Sequence, residues 1–209
     1  MHLARRAWCR TYQTVFRIAL PILPYTEPRI LEHAEDVPAV FQKRSIQQVL
    51  IVTDPGIARL GLTAPLERAL ASKGIGVTVY AETRANPTVS NVEEAAALYR
   101  ENDCQAIIGF GGGSAMDCAK GVGARIVQPN KPINKMRGLL RVHRLLPLLI
   151  AVPTTAGTGS EVTLAAVITD DETHYKYPIN DFVLIPRFAV HDPEFTRGLP
   201  ASITGQTGM

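Results

Sequence analysis

Hydrophobic positions along the chain fall into short unbroken runs, separated by longer stretches of helical spacing. Gln47–Thr53 (QQVLIVT) is a continuous β-branched run, the pattern of a strand buried on both faces of a parallel sheet. Ala64–Lys73 carries apolar residues at helical spacing and stops at Gly74, a helix-end signal. Gly76–Ala81 predicts a second strand, and Val89–Glu101 a helix, with Pro87 and Thr88 just ahead of it. Gln105–Phe110 predicts a third strand, followed by Gly111-Gly112-Gly113-Ser114 and a helix over Ala115–Val127. A fourth strand, Leu148–Pro153, leads into Thr154–Glu161. Val162–Thr169 and Val183–His191 read as strands, and the polar residues between them suggest a hairpin or a short crossover. Pro129–Arg144, rich in Pro, Asn, Lys and Arg, reads as a loop. Alternation of strands and helices predicts an α/β fold, with a mostly parallel, Rossmann-like sheet and helices on both faces. In such sheets ligands bind outside the carboxyl ends of the strands.

Composition narrows this picture without changing it. At 209 residues, 46% hydrophobic and 20% charged, the chain is globular and long enough to bury a core without disulfides. The cysteines Cys9, Cys104 and Cys118 are an odd number with no Cys-x-x-Cys spacing, which argues for a reducing compartment and against a structural zinc site. The net charge of +3 is uneven: Arg5, Arg6, Arg10 and Arg17 precede the first acidic residue, Glu27. The remainder is near neutral, so no basic face for nucleic acid is expected. Trp8, Tyr12, Val15, Phe16 and Ala19 fall at helical spacing before Pro21, which predicts a helix packed on the body. The Arg-rich, acid-free start is also the composition of a mitochondrial presequence. The apolar run Ile18–Tyr25 is too short to span a bilayer, so no membrane partner is expected and the cytoplasm is the expected location.

Three features sit at the carboxyl ends of predicted strands. Gly111–Ser114 leads directly into a helix, where glycines allow close approach of a phosphate and the helix start favours negative charge. Ser114 is placed to cap that helix, with Asp117 three residues on as a capping-box-like partner. The same run would also serve as a tight turn with no ligand. Thr154-Thr155-Ala156-Gly157-Thr158-Gly159-Ser160 offers amides and hydroxyls to a pyrophosphate or nicotinamide, or is a solvated loop. Asp54 closes the first strand, and reads equally as a ribose-binding carboxylate that disfavours NADP or as the start of an Asp-Pro-Gly turn. The order is not the usual dinucleotide fingerprint, in which the glycines come first and the acid follows. The histidines His2, His33, His143, His174 and His191 include no pair at i, i+3 or i, i+4, so no helical metal site is predicted.

GGGSAMDCAKG (Gly111–Gly121), PLLIAVPTTAGTGSEVT (Pro147–Thr163), AVITDDETHYK (Ala166–Lys176) and AVHDPEFTRGLPASITGQTGM (Ala189–Met209) resemble, in order, four motifs of the iron-containing alcohol dehydrogenase family. The resemblance implies a two-domain oxidoreductase that passes hydride between an alcohol or aldehyde and NAD or NADP, with Fe2+ or Zn2+ polarising the alcohol oxygen. By position, Asp54 matches the family's ribose acid and Asn86 a cofactor-contacting asparagine. Gly112, Gly113, Ser114 and Asp117 match the pyrophosphate loop. Thr154, Thr155, Thr158 and Thr163 match threonines on the nicotinamide side, and Lys176 a lysine that reaches the cofactor. The resemblance further implies an N-terminal helical extension over residues 1–27, a dinucleotide-binding domain over 28–198, and the start of an all-helical metal-binding domain over 199–209. The metal ligands, an aspartate and three histidines, are then expected after Met209, so that no catalytic or metal residue falls within the chain. An apolar interface is expected around Phe188–Met209, and a homodimer is one possible assembly. The alternatives are a chain that binds NAD without catalysis, and a relative of glycerol dehydrogenase or dehydroquinate synthase.

Overall fold

The computed structural model describes residues 25–197, together with Arg10, Thr11, Gln13 and Thr14. Those four are helical and exposed, but the rest of the predicted N-terminal helix and all of segment 199–209 lie outside the described residues. Among the described residues the strands are, in chain order, β1 (Arg29–Leu31), β2 (Gln48–Val52), β3 (Gly76–Tyr80), β4 (Ala106–Gly111), β5 (Gly138–Leu139), β6 (Leu148–Pro153), β7 (Ala165–Thr169), β8 (Lys176–Asn180) and β9 (Phe188–Val190). Between them run α1 (Val37–Gln42), α2 (Pro55–Arg59), α3 (Ala64–Ala71), α4 (Val89–Glu101) and α5 (Gly113–Val127), with α6 (Glu194–Arg197) last. Six strands form one sheet in the order β1-β9-β6-β4-β2-β3, every pair parallel. A second sheet, β5-β8-β7, contains the antiparallel β7–β8 hairpin.

Strand alternation splits the core in two. Leu50, Val52, Ile107 and Leu149 face α4 and α5, against Val92, Ala95, Ala96, Cys118, Ala119 and Val122. Val49, Ile51, Ile108, Phe110, Ile150 and Val152 point the other way, against Phe41 of α1, Leu66 and Leu70 of α3, and Phe195 of α6. Each such side chain contributes about 1.5–3 kcal/mol when fully buried. The β-branched run at β2 is continuous because both of its faces are covered, which is what makes it legible as a parallel strand. Thr88 and Asn91 form a reciprocal capping box that starts α4, worth about 1 kcal/mol.

Helix α5 lies unusually close to the sheet. A Cβ added at Gly109 of β4 would stand 3.0 Å from Ala119 Cβ and 3.2 Å from Met116 Cα. At Gly121 it would stand 2.9 Å from Val92 Cγ2 and 3.3 Å from Ile168 Cδ1. The missing side chains are therefore what let α5 seat between β4, α4 and β7.

Several boundaries differ from the expectation. The run Val162–Thr169 becomes a strand only from Ala165, because Val162 ends a turn that starts at Ser160. Val183–His191 divides into a 3-10 turn (Phe182–Leu184), started by the Asp181 side chain, and the short strand β9. The polar residues after Thr169, expected to form a hairpin or a short crossover, hold strand β8 of the β7–β8 hairpin, with Lys176 and Pro178 exposed and Tyr177 and Ile179 buried. The predicted loop Pro129–Arg144 holds a 3-10 helix (Ile133–Met136) and β5, with Ile133, Met136 and Val142 fully buried. Of the apolar surface expected around Phe188–Met209, residues 198–209 lie outside the described residues; in the described part Phe188, Ala189, Val190 and Phe195 are buried, whereas His191, Glu194 and Arg197 are exposed. The sheet and α1 cover the apolar side chains there, and Phe195 packs edge-on to Phe110 at 4.9 Å. Among the described residues no helix is long and apolar enough to cross a membrane.

Substituting Gly109→Ala is expected to lower stability by about 1–3 kcal/mol through overpacking, and Gly109→Val by more. Urea unfolding measures this; an unchanged midpoint in both variants would show that α5 has room to move away.

Candidate functional site

The order of the large sheet reverses between β2 and β4: β3 lies on one side of β2, and the chain then crosses back to β4 on the other. A reversal of this kind opens a crevice at the carboxyl ends of the two strands. Asp54, just after β2, and Gly111-Gly112-Gly113, ending β4, meet at that point. Gly111 has φ 144°, which L side chains rarely adopt, and a Cβ there would lie 2.9 Å from Ala115 Cβ and 3.4 Å from Asp54 Oδ2. Both readings of Asp54 find an oxygen. Its Oδ1 accepts from the N–H groups of Gly56 (2.8 Å) and Ile57 (3.0 Å), capping α2. Its Oδ2 faces the glycine turn.

Gly112 is the N-cap of α5, and no side chain caps the helix. The expected cap by Ser114 with Asp117 is thus corrected: Ser114 lies inside the first turn, and its hydroxyl instead accepts the N–H of Asn86 at 3.2 Å. Asn86 adopts φ 61°, a left-handed conformation that asparagine tolerates. Its carbonyl accepts from the Thr169 hydroxyl (3.4 Å), while the Thr169 N–H donates to Pro87 O (2.8 Å). Tertiary contacts from β7 therefore bring Asn86 to the start of α5.

The threonine-rich turn after β6 faces the glycines. Thr154 is buried and its N–H donates to Gly111 O at 3.0 Å. A Cβ at Gly112 would lie 3.3 Å from Thr155 Oγ1, and one at Gly113 would lie 3.5 Å from Thr158 Cβ. Thr155 Oγ1 is buried with no hydrogen-bond partner. An orphaned hydroxyl of this kind costs about 1–3 kcal/mol. It stands beside an uncapped helix start whose first amides have no partner within the helix. The arrangement is a cradle for an anionic group, with two backbone turns as its walls.

Asp117 and Thr163 lie in a bracket beneath this cradle. Asp117 Oδ1 accepts from the Ser160 hydroxyl at 2.7 Å, and Oδ2 from the Val167 N–H at 3.0 Å. Lys120, absent from the sequence-derived candidates, organises the bracket. Its Nζ donates to Thr163 O (2.8 Å), Ala165 O (2.9 Å), Thr163 Oγ1 (3.1 Å) and Ser160 Oγ (3.4 Å), and the residue is fully buried. Its signal in the sequence was a lone lysine inside an apolar helical stretch, Ala115–Ala124. Lys176 is exposed on β8 and pairs in register with Thr169, so the hairpin ties it to the element that holds Asn86. Among the described residues no group of three or more His, Cys, Asp or Glu could hold a metal ion, so the metal finds no ligand set there.

Burial lowers the Lys120 pKa from 10.5 to about 8, against the opposing influence of Asp117 and Glu161. Burial likewise raises that of Asp117, although the Val167 N–H, Ser160 and Lys120 all act to lower it. The unfolded chain thus holds the lysine proton more tightly than the folded chain between about pH 8 and 10.5. Stability from this group should rise with pH across that window. Cys118, pushed up by burial from 9.0 to about 12, acts in the opposite sense above pH 9. Urea unfolding at several pH values is expected to give a more positive slope for the wild type than for Lys120→Met. Equal slopes would mean that Lys120 titrates as if exposed.

The sequence profile of the family described as iron-containing alcohol dehydrogenase matches residues 30–193. Alcohol dehydrogenase 4 of Schizosaccharomyces pombe is 40% identical over 163 residues, which cover 78% of this chain and 38% of that protein. The structure of an alcohol dehydrogenase from Oenococcus oeni superposes with a TM-score of 0.83 at 33% identity, covering 88% of this chain and 50% of the other. A sulfoacetaldehyde reductase from Bifidobacterium kashiwanohense, solved in complex with NAD+, gives 0.77 at 31% identity, again over 88% and 50%. The chain spans half or less of the length of each of these relatives. It belongs to the iron-containing alcohol dehydrogenase family.

Proposed function

We propose that this chain supplies the dinucleotide-binding half of an alcohol dehydrogenase that uses NAD. The observation that carries the reading is the partnerless Thr155 hydroxyl, buried opposite Gly112 at an uncapped helix start on the sheet's switch point. The free N–H groups of the first turn of α5 would hold the pyrophosphate, with Thr155 and Thr158 beside them. Asp54 would accept the ribose hydroxyls through Oδ2, and its charge would repel a 2′-phosphate, favouring NAD over NADP. Asn86, Ser114 and Thr154 shape the cradle; Lys120, Asp117 and Thr163 fix the turn that carries Thr158 (Lys120 from within the helix). Lys176 extends from β8 toward solvent, where it is available to a bound phosphate. When bound, NAD accepts or supplies the hydride; the chain's own residues orient it and hold its charge. The NAD+-bound sulfoacetaldehyde reductase supports this reading. Small alcohols or aldehydes are the proposed substrates, by similarity to the named alcohol dehydrogenases. No step through a metal follows from the described residues. A second reading, NAD binding without turnover, is favoured by the absence of a metal ligand set among them.

Titration with NADH, followed by cofactor fluorescence, is expected to show saturable binding. Gly113→Val, which sets a branched side chain against Thr158, should reduce it by about tenfold or more, and Thr155→Val by severalfold. Asp54→Asn keeps an acceptor for the α2 cap but removes the charge, so it should narrow the preference for NADH over NADPH. No NADH binding by the wild type would end the cofactor assignment. Assaying short alcohols with NAD and added iron(II) or zinc tests the division of labour: turnover by this chain alone would overturn the expectation that the metal ligands lie outside it, and no turnover with binding intact is what a cofactor half gives.

A further inference from the structure

A second concave site is lined by residues of the β7–β8 hairpin and of the segment before β6, none of which belongs to the cradle. It is a cavity of about 460 Å3 lined by Asn134, Lys135, Arg137, Arg141, Asp170, Thr173, Tyr175 and Tyr177. On β8, Lys176 is exposed while Tyr177 is buried in the core cluster that also holds Ile133 and Met136. Three cations, Lys135, Arg137 and Arg141, converge here. The ion pairs formed among the described residues, Arg125–Glu93 and Arg197–Glu194, involve none of them. Tyr177 is 3% exposed, and its hydroxyl is buried without a hydrogen-bond partner.

The one carboxylate on the rim is already engaged. Asp170 Oδ1 accepts from the N–H of Glu172 (3.1 Å), the N–H of Thr173 (2.9 Å) and the Thr173 hydroxyl (3.0 Å). Asp171, which also acts on Tyr177 through its charge, is turned away to the Ser90 N–H at 2.9 Å. Burial pushes the Tyr177 phenol from 10.0 up to about 12, with Asp170 and Asp171 adding to the rise and Arg137 opposing it. At neutral pH it is therefore a proton donor. A buried donor without an acceptor, in a cavity lined by two guanidinium groups and an ammonium, matches an anion with several oxygens. Guanidinium forks match a tetrahedral phosphate, and a donor hydroxyl completes its coordination.

We propose that this pocket binds a phosphate group, free or as a small phosphate ester, separately from the dinucleotide cradle. Arg137 and Arg141 grip the anion, Lys135 adds charge, and Tyr177 donates from the floor. Tyr175, 62% exposed at the mouth, is placed to cover the organic part of an ester.

Calorimetric titration of the full chain with inorganic phosphate and with ribose 5-phosphate tests this. Saturable binding is expected, weakened by about tenfold or more in Arg137→Ala/Arg141→Ala and by severalfold in Tyr177→Phe. The arginines are exposed, and Tyr177→Phe keeps the ring, so circular dichroism should show all variants folded. Tighter binding of the ester than of phosphate assigns the site to esters, whereas equal binding assigns it to the free ion. NADH binding should be unaffected by the arginine pair, and phosphate binding unaffected by Gly113→Val. Absence of phosphate binding, or its survival in the double variant, would overturn the proposal. Loss of NADH and phosphate binding together in the double variant would overturn the separateness of the site.

Discussion

The close seating of α5 against β4 is the constraint on which the rest depends. Gly109 leaves no space for a Cβ between the strand and Ala119, and Gly111 turns the chain through a conformation closed to other residues. Together they bring the start of a fifteen-residue helix to the carboxyl end of β4, next to Asp54. Had either position carried a side chain, the helix start would stand farther from the switch point. Its free amides would then no longer share a crevice with the threonine turn.

The same helix supplies the second level of order. Asp117 and Lys120 project from α5 into the segment after β6 and hold Ser160, Thr163, Ala165 and Val167 by hydrogen bonds. Burial acts against the charge on both groups, so the bracket carries a desolvation cost for the shape it imposes. That shape sets Thr155 and Thr158 against the glycines. The long segment from Thr154 to Leu164, without regular structure of its own, acquires a definite path from the helix beneath it. Asn86 is positioned in the same indirect way, through β7 and Ser114.

Much of the fold was legible from one chain. The runs at β2, β4 and β6 are apolar on both faces because both faces of the sheet are covered, and their short length and β-branched content set them apart from buried helix. The family resemblance likewise makes Asp54, Gly112, Gly113 and Thr155 expected site residues without coordinates. Strand β8 was not legible, because it is a hairpin strand with one wet face and a proline, and β9 is only three residues long. The buried Ile133, Met136 and Val142 were hidden in a segment whose composition is that of a loop.

What the sequence by itself determined is therefore the periodic part: which runs are strands, which helices follow them, and which turns are rich enough in glycine and threonine to meet a phosphate. Hydrophobic period and turn chemistry are local, and the residues carry them wherever the chain goes. Only the tertiary structure decided which of those turns face each other. It alone showed that Asp54 divides its two oxygens between a helix cap and the crevice, and that Ser114 serves Asn86 rather than its own helix. It alone revealed Lys120 as the organiser of the loop. Those assignments depend on distances between residues 28 to 83 positions apart in the chain. Such distances are set by the packing of α5 on the sheet, and no local pattern encodes them.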